Sequence, residues 1–175
     1  MNRQQFAHTI RAAAAILGVN EVLVIGSQAA HASIDNPFPV VHRSIETDIA
    51  ILDDKDGRAA DLIDGSIGEA SLFQETYGYY AQGVEPKPAI LPVGWKERLV
   101  KFSSPETNGV TALCLELHDL WISKALAGRA KDREFCSEFL KRKLVQAKIL
   151  NERLRAVTGQ PSEKIRMALS WIERP

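Results

Sequence analysis

VLVIGS (residues 22–27) and, about twenty residues on, SIETDIAIL (44–52) decide how this chain is read. The first run is apolar, short enough for a buried strand, and breaks at Gly26-Ser27, a turn signal. QAAHA (28–32) then starts a helix. The second run reads as another strand and carries Glu46, Thr47 and Asp48 near its start. Residues two apart in a strand face the same side, so the two carboxylates stand together near a backbone turn. Like charges on one face repel, so stability does not account for the pair. A Mg²⁺ ion would remove the repulsion, because it prefers carboxylate oxygens and substrate phosphates.

The rest of the chain sets the bounds. Its 175 residues suit one domain, or one with a small appendage, and 45% apolar residues is the share of an ordinary globular protein. No apolar run reaches about 18 residues, so no membrane span is expected. AAAAIL (12–17) follows His8 and Arg11 and runs on into a strand, the pattern of an amphipathic helix and not of a signal peptide. Cys114 and Cys136 lack metal or redox spacing, which predicts a reduced, cytoplasmic chain. Charge is unevenly spread: residues 1–110 hold 9 Lys/Arg against 14 Asp/Glu, and residues 124–155 hold 10 against 4. Such a pattern reads either as a solvated helical surface or as a basic lobe facing an acidic one, with a polyanion between them.

Apolar spacing and breakers predict helix over 3–17, strand over 22–25, helix over 28–33 and a proline loop over 35–39. Strand 44–52 runs into the turn cluster Asp53–Gly57, followed by helix over 58–67. Residues 77–84 and 90–102 have mixed β character, with Tyr77 and Tyr79 on one strand face, and 111–115 is a last short strand. Helices are expected over 118–127, 131–143, 146–157 and 162–173. In the first of these, Leu117, Leu120 and Lys124 share one side. A partly buried lysine wants an anion, and Arg129, Lys131 and Asp132 crowd the next helix start. The block reads either as local ion pairing capped by Asp132 or as a phosphate grip of Lys124, Arg129 and Lys131 oriented by Asp132. The four histidines show no pairwise metal spacing, and only His31, behind the Gly-Ser turn, lies near a candidate phosphate. His42-Arg43 reads as an exposed loop pair, and core packing is the default for the tyrosines.

The Gly-Ser turn, the strand carboxylates and the later K-x(4)-R-x-K-D together resemble the nucleotidyltransferase superfamily. Within it the chain resembles the AbiEii-like toxin nucleotidyltransferases and a related group of bacterial proteins. VLVIGSQAAHA, ETYGYYAQGV, LPVGWKERLV and LHDLWISKALAGRAKDREF carry the likeness over roughly residues 20–155. It implies an α/β (α+β) fold, a small mixed sheet with flanking helices over 1–115, with a helical bundle over 116–175 packed on it as a single compact unit. It also implies Mg²⁺-dependent transfer of a nucleoside monophosphate from a nucleoside triphosphate to a hydroxyl of RNA (tRNA included) or protein, and a toxin role paired with an antitoxin. Gly26 and Ser27 would hold the triphosphate, Asp48 with Glu46 the metal, and Lys124, Arg129, Lys131 and Asp132 the phosphates. One position departs: Ala50 stands where the family places its second aspartate. Either Glu46 and Asp48 serve as the pair, or the fold persists without efficient transfer. No third carboxylate stands out, Glu75 and Glu97 being the candidates.

Overall fold

A computed structural model describes residues 1–52, 54, 57–85 and 91–174. Asp53, Lys55 and Asp56 of the expected acidic turn, and Pro86, Pro88 and Ile90 of the mixed region, lie outside them. The chain divides into two compact units, Met1–Pro86 with Leu99–Leu115, and Lys87–Arg98 with Glu116–Pro175.

The first unit opens with α1 (Arg3–Leu17), whose start is fixed by Asn2. Its side chain accepts from the Gln5 N–H while the Gln5 side chain accepts from the Asn2 N–H, a reciprocal cap. Phe6, Ala7, Ile10, Ala13 and Ala14 form its buried stripe at helical spacing. Strands β1 (Glu21–Val24), β2 (Glu46–Ala50), β3 (Tyr80–Gly83), β4 (Val100–Phe102) and β5 (Thr111–Cys114) make one mixed sheet in the order β3-β2-β1-β5-β4. β1 runs antiparallel to β2 and parallel to β5; β2 runs parallel to β3. The register puts Val22, Val24, Thr47, Ile49, Ala81, Ala112 and Cys114 on one face, all buried. Glu46, Asp48 and Ala50 take the opposite face, with Leu23, Tyr80 and Gln82. A short α2 (Pro39–His42) starts at the second proline of the expected loop, and α3 (Arg58–Ile67) packs on α1 and β3.

Two local expectations are corrected. The helix after Gly26 is a 3-10 helix, Ser27–Ala32. Tyr77 does not share a strand with Tyr79: it ends α4 (Leu72–Tyr77). Ser71 caps that helix by accepting from the Gln74 N–H, and Gly78 stops it at φ 77°, a left-handed turn that glycine adopts without strain. Those two signals outweigh the aromatic alternation that suggested a strand.

In the second unit α5 (Leu117–Ala127) is buried nearly all round and packs with α6 (Ala130–Lys141), α7 (Ala147–Arg155) and α8 (Ser162–Glu173). Trp121 seals α5 to α6: its indole N–H donates to the Cys136 carbonyl at 2.9 Å. Where 90–102 suggested a run of short strands, the described residues form a 3-10 turn, Lys96–Arg98, and then β4. The architecture is α+β, a five-stranded mixed sheet with flanking helices and a C-terminal helical bundle, as the sequence predicts.

Candidate active site

Strand register brings the Gly-Ser turn and the β2 carboxylates together. Leu23 pairs with Ala50 and Val24 with Ile49, and one step on the Ile25 N–H donates to the Asp48 carbonyl at 3.2 Å. The next residue, Gly26, therefore lies against the Asp48 side chain. A Cβ built on Gly26 would fall 1.5 Å from Asp48 Oδ2. Its backbone, φ −92° and ψ −169°, is one that any residue adopts, so the demand for glycine is a demand for space. Gly26 leaves the volume that the carboxylate fills. Ser27 begins the 3-10 helix directly behind.

Glu46 stands two residues up the same face. Its Oε2 accepts from the Tyr80 hydroxyl at 3.1 Å, because β3 pairs Tyr80 with Glu46 and Gln82 with Asp48. Burial first, and the facing Glu46 carboxylate second, push the Tyr80 phenol up to about 12, so it stays a donor at neutral pH. Ala50, one step the other way, is only 2% exposed beside Leu23. Glu46 and Asp48 are both half-buried. The two carboxylates on this face of β2 are therefore Glu46 and Asp48, with the Ala50 methyl buried beyond them.

The second unit gathers another set. Asp132, 2% exposed, accepts from Arg129 Nε at 2.7 Å and from the Arg129 backbone N–H at 3.3 Å, which fixes the start of α6. Lys124 Nζ lies 3.9 Å from its other oxygen and 5.9 Å from the centre of the Phe135 ring. Lys131 stands exposed in the first turn of α6. Lys124, Arg129 and Asp132 therefore form one cluster of local ion pairing in which Asp132 also caps α6.

Residues 5–172 match a family described as nucleotidyltransferase of unknown function (DUF6036). The chain belongs to this family. No curated protein and no solved structure matches it. Among the described residues no helix is long and apolar enough to cross a membrane.

A nucleotidyltransferase needs acids to hold a metal, and β2 is the place to test for them. Two carboxylates on one face, one seated in the space left by a glycine, suit Mg²⁺, which takes one or two carboxylates and completes its shell with water and phosphate. The acids the sequence offered as a third ligand lie elsewhere, Glu75 in α4 and Glu97 in the Lys96–Arg98 turn, while Gln82 faces Asp48 on β3. Among the described residues no three His, Cys, Asp or Glu side chains gather as a metal site. The donor set fits one ion held with the help of phosphate oxygens.

The histidines take structural places. His31 is fully buried, stacks on Phe6 at 4.9 Å and shares a hydrogen bond with Gln28. Burial pushes its pKa down to about 4, so it is a neutral core residue and not the phosphate contact the sequence suggested. His8 meets Tyr79, Phe73 and Tyr77 in an aromatic cluster. Both cysteines are buried and their thiols pushed up by that burial, which leaves neither a nucleophile.

Sequence reasoning missed a second acidic centre at the start of α5. Asp119, 0% exposed, accepts from Arg98 at 2.7 Å and from Arg153 at 2.8 Å. Glu116 accepts from Arg153 and from His118 Nδ1. The Gln146 N–H donates to His118 Nε2 at 3.0 Å, which leaves Nδ1 to carry the proton toward Glu116. Burial would raise the Glu116 carboxyl, but the His118 and Arg153 hydrogen bonds outweigh it and hold it at about 2. The partners of these acids at positions 98 and 153 were not legible in the sequence.

Proposed function

We propose that this chain is a Mg²⁺-dependent nucleotidyltransferase that moves a nucleoside monophosphate from a nucleoside triphosphate to a hydroxyl of RNA or protein. The observation that carries the reading is the seat of Asp48, a carboxylate held against a side-chain-free turn at the end of β1. Bound by Asp48 and Glu46, Mg²⁺ would neutralise phosphate oxygens and favour in-line attack on the α-phosphate. Gly26 and Ser27, both buried where β1 ends, would turn backbone N–H groups and a hydroxyl to the triphosphate. Tyr80 holds the Glu46 carboxylate in place through its hydroxyl. Lys124 and Arg129, oriented by Asp132, and Lys131 on the first turn of α6 offer positive charge to phosphate groups. The acceptor oxygen bonds to the α-phosphorus as the bond to pyrophosphate breaks. Positioning and charge neutralisation supply most of the rate in such transfers.

A label on the α-phosphate of each of the four NTPs, offered with total RNA and protein, tests the reading. Label should reach a macromolecule with release of pyrophosphate, and Asp48→Ala should lower the rate by about 100-fold or more. Transfer that ignores Asp48→Ala would refute it. The toxin role belongs to the same reading: expression should arrest growth through Asp48, and co-expression of an antitoxin should relieve it. Ala50 favours a second reading, a module that binds a nucleotide or RNA and no longer transfers. Mg²⁺-dependent NTP binding without pyrophosphate release is its signature.

A further inference from the structure

Within the second unit, α6 and α8 leave a recess of about 360 Å³. Arg133, Glu134 and Ser137 line it from α6, Trp171 from α8 and Arg174 from the residue after α8. Trp171 is otherwise buried, so the bundle fixes the indole and presents its remaining surface to the recess. Four guanidiniums of this unit are already committed, whereas among the described residues Arg133 and Arg174, like Arg155, are not. Arg98, Arg129, Arg142 and Arg153 are each tied to a carboxylate. Arg133 and Arg174 are exposed, and neither side chain makes an ion pair or hydrogen bond among the described residues.

A fixed indole, 9% exposed at the recess, beside two such arginines is the chemistry that takes a planar base and its phosphate. Charge and size narrow the occupant. With Glu134 on the same rim the recess carries a net charge of one, enough for a single internucleotide phosphate and too little for a triphosphate. Its volume lies at the small end of ligand pockets, roughly 300–1,000 Å³, which suits one nucleotide. The surrounding stretch, 10 Lys/Arg against 4 Asp/Glu over residues 124–155, provides the attraction a longer strand needs.

We infer that this recess holds one nucleotide of a single-stranded RNA, its base on Trp171 and its phosphate between Arg133 and Arg174. The inference rests on the proposed transfer reaction and names RNA, not protein, as its acceptor. Fluorescence anisotropy with a labelled ten-nucleotide single-stranded RNA, without NTP or Mg²⁺, tests it separately from that reaction. Wild-type protein should bind. Arg133→Ala with Arg174→Ala should weaken binding about tenfold or more and lower the salt slope by about one. Lys141→Ala with Lys148→Ala, which removes equal charge elsewhere on the helices, should weaken it less. Trp171→Leu should cost about tenfold and Trp171→Phe much less, because the phenyl ring still stacks. Absence of RNA binding, or equal losses in the two double variants, would overturn the inference. Since the double variants alter exposed residues, their comparison holds even if a Trp171 variant fails to fold. Loss of NTP binding in Asp48→Ala, with RNA binding retained, would bear on the transfer site alone.

Discussion

The acids of β2 and those of α5 and α6 are the same chemistry placed to opposite ends. Asp119 and Asp132 are sealed inside the second unit, and each takes a guanidinium at 2.7 Å. Glu46 and Asp48 are half-buried on a strand; Glu46 takes a phenol, and Asp48 sits where a glycine makes room. A buried carboxylate answered by arginine holds helices in register, and removing one partner leaves an uncompensated charge. The two carboxylates on one strand face lie beside Gly26, where the function proposed above puts a ligand. The comparison sets acids answered by arginine inside the fold against acids proposed to meet a metal and a nucleotide.

Stability gives the largest test of that division. Asp119→Ala should destabilise the protein by about 3 kcal/mol, since it takes from Arg98 its carboxylate and leaves Arg153 with Glu116 alone. Asp48→Ala should stay within about 1 kcal/mol of wild type in the same denaturant titration. Equal losses would make the β2 pair structural and break the comparison.

Acid should separate the two units next. His31 takes a proton near pH 6.5 when unfolded but only at about 4 when folded, so stability falls as pH drops through that window, by roughly 3 kcal/mol. Glu116 behaves at a lower pH: its contribution is present above 4.5 and is lost as pH falls toward about 2. Hydrogen exchange between pH 7 and 4 should show the first unit loosening before the second, and His31→Gln should remove the early loss. Simultaneous loosening in that variant and in wild type would contradict the assignment.

Gly26→Ala tests the seat itself. The new methyl displaces the Asp48 carboxylate, so affinity for Mg²⁺–NTP should fall about 10–100-fold, the usual cost of disturbing a metal ligand's support. The smallest effect belongs to Tyr80→Phe, which removes one hydrogen bond from Glu46 and should cost about 1 kcal/mol in the same titration.

What the sequence made legible was local. Gly26 and Asp48 show because a turn and a strand each write their signals within a few residues. Lys124, Arg129 and Asp132 show because helix spacing joins them. The Arg98–Asp119–Arg153 centre was not legible, because its partners stand 21 and 34 residues from Asp119 and follow no period. Tyr80 escaped for a related reason: nothing in β2 says that β3 is its neighbour, and the Ser71 cap of α4 was hidden among aromatic residues that suggested a strand. Ala50 posed a question the sequence left open. Register places Ala50 beside Leu23 on the same face as Glu46 and Asp48, and the titration below addresses that question.

Calorimetric titration of NTPs into wild type, Asp48→Ala and Glu46→Gln, with and without Mg²⁺, tests the β2 pair most directly. Binding should require Mg²⁺ and should weaken by about tenfold or more in each variant. Binding that is indifferent to Mg²⁺, or unchanged by both substitutions, would contradict the account.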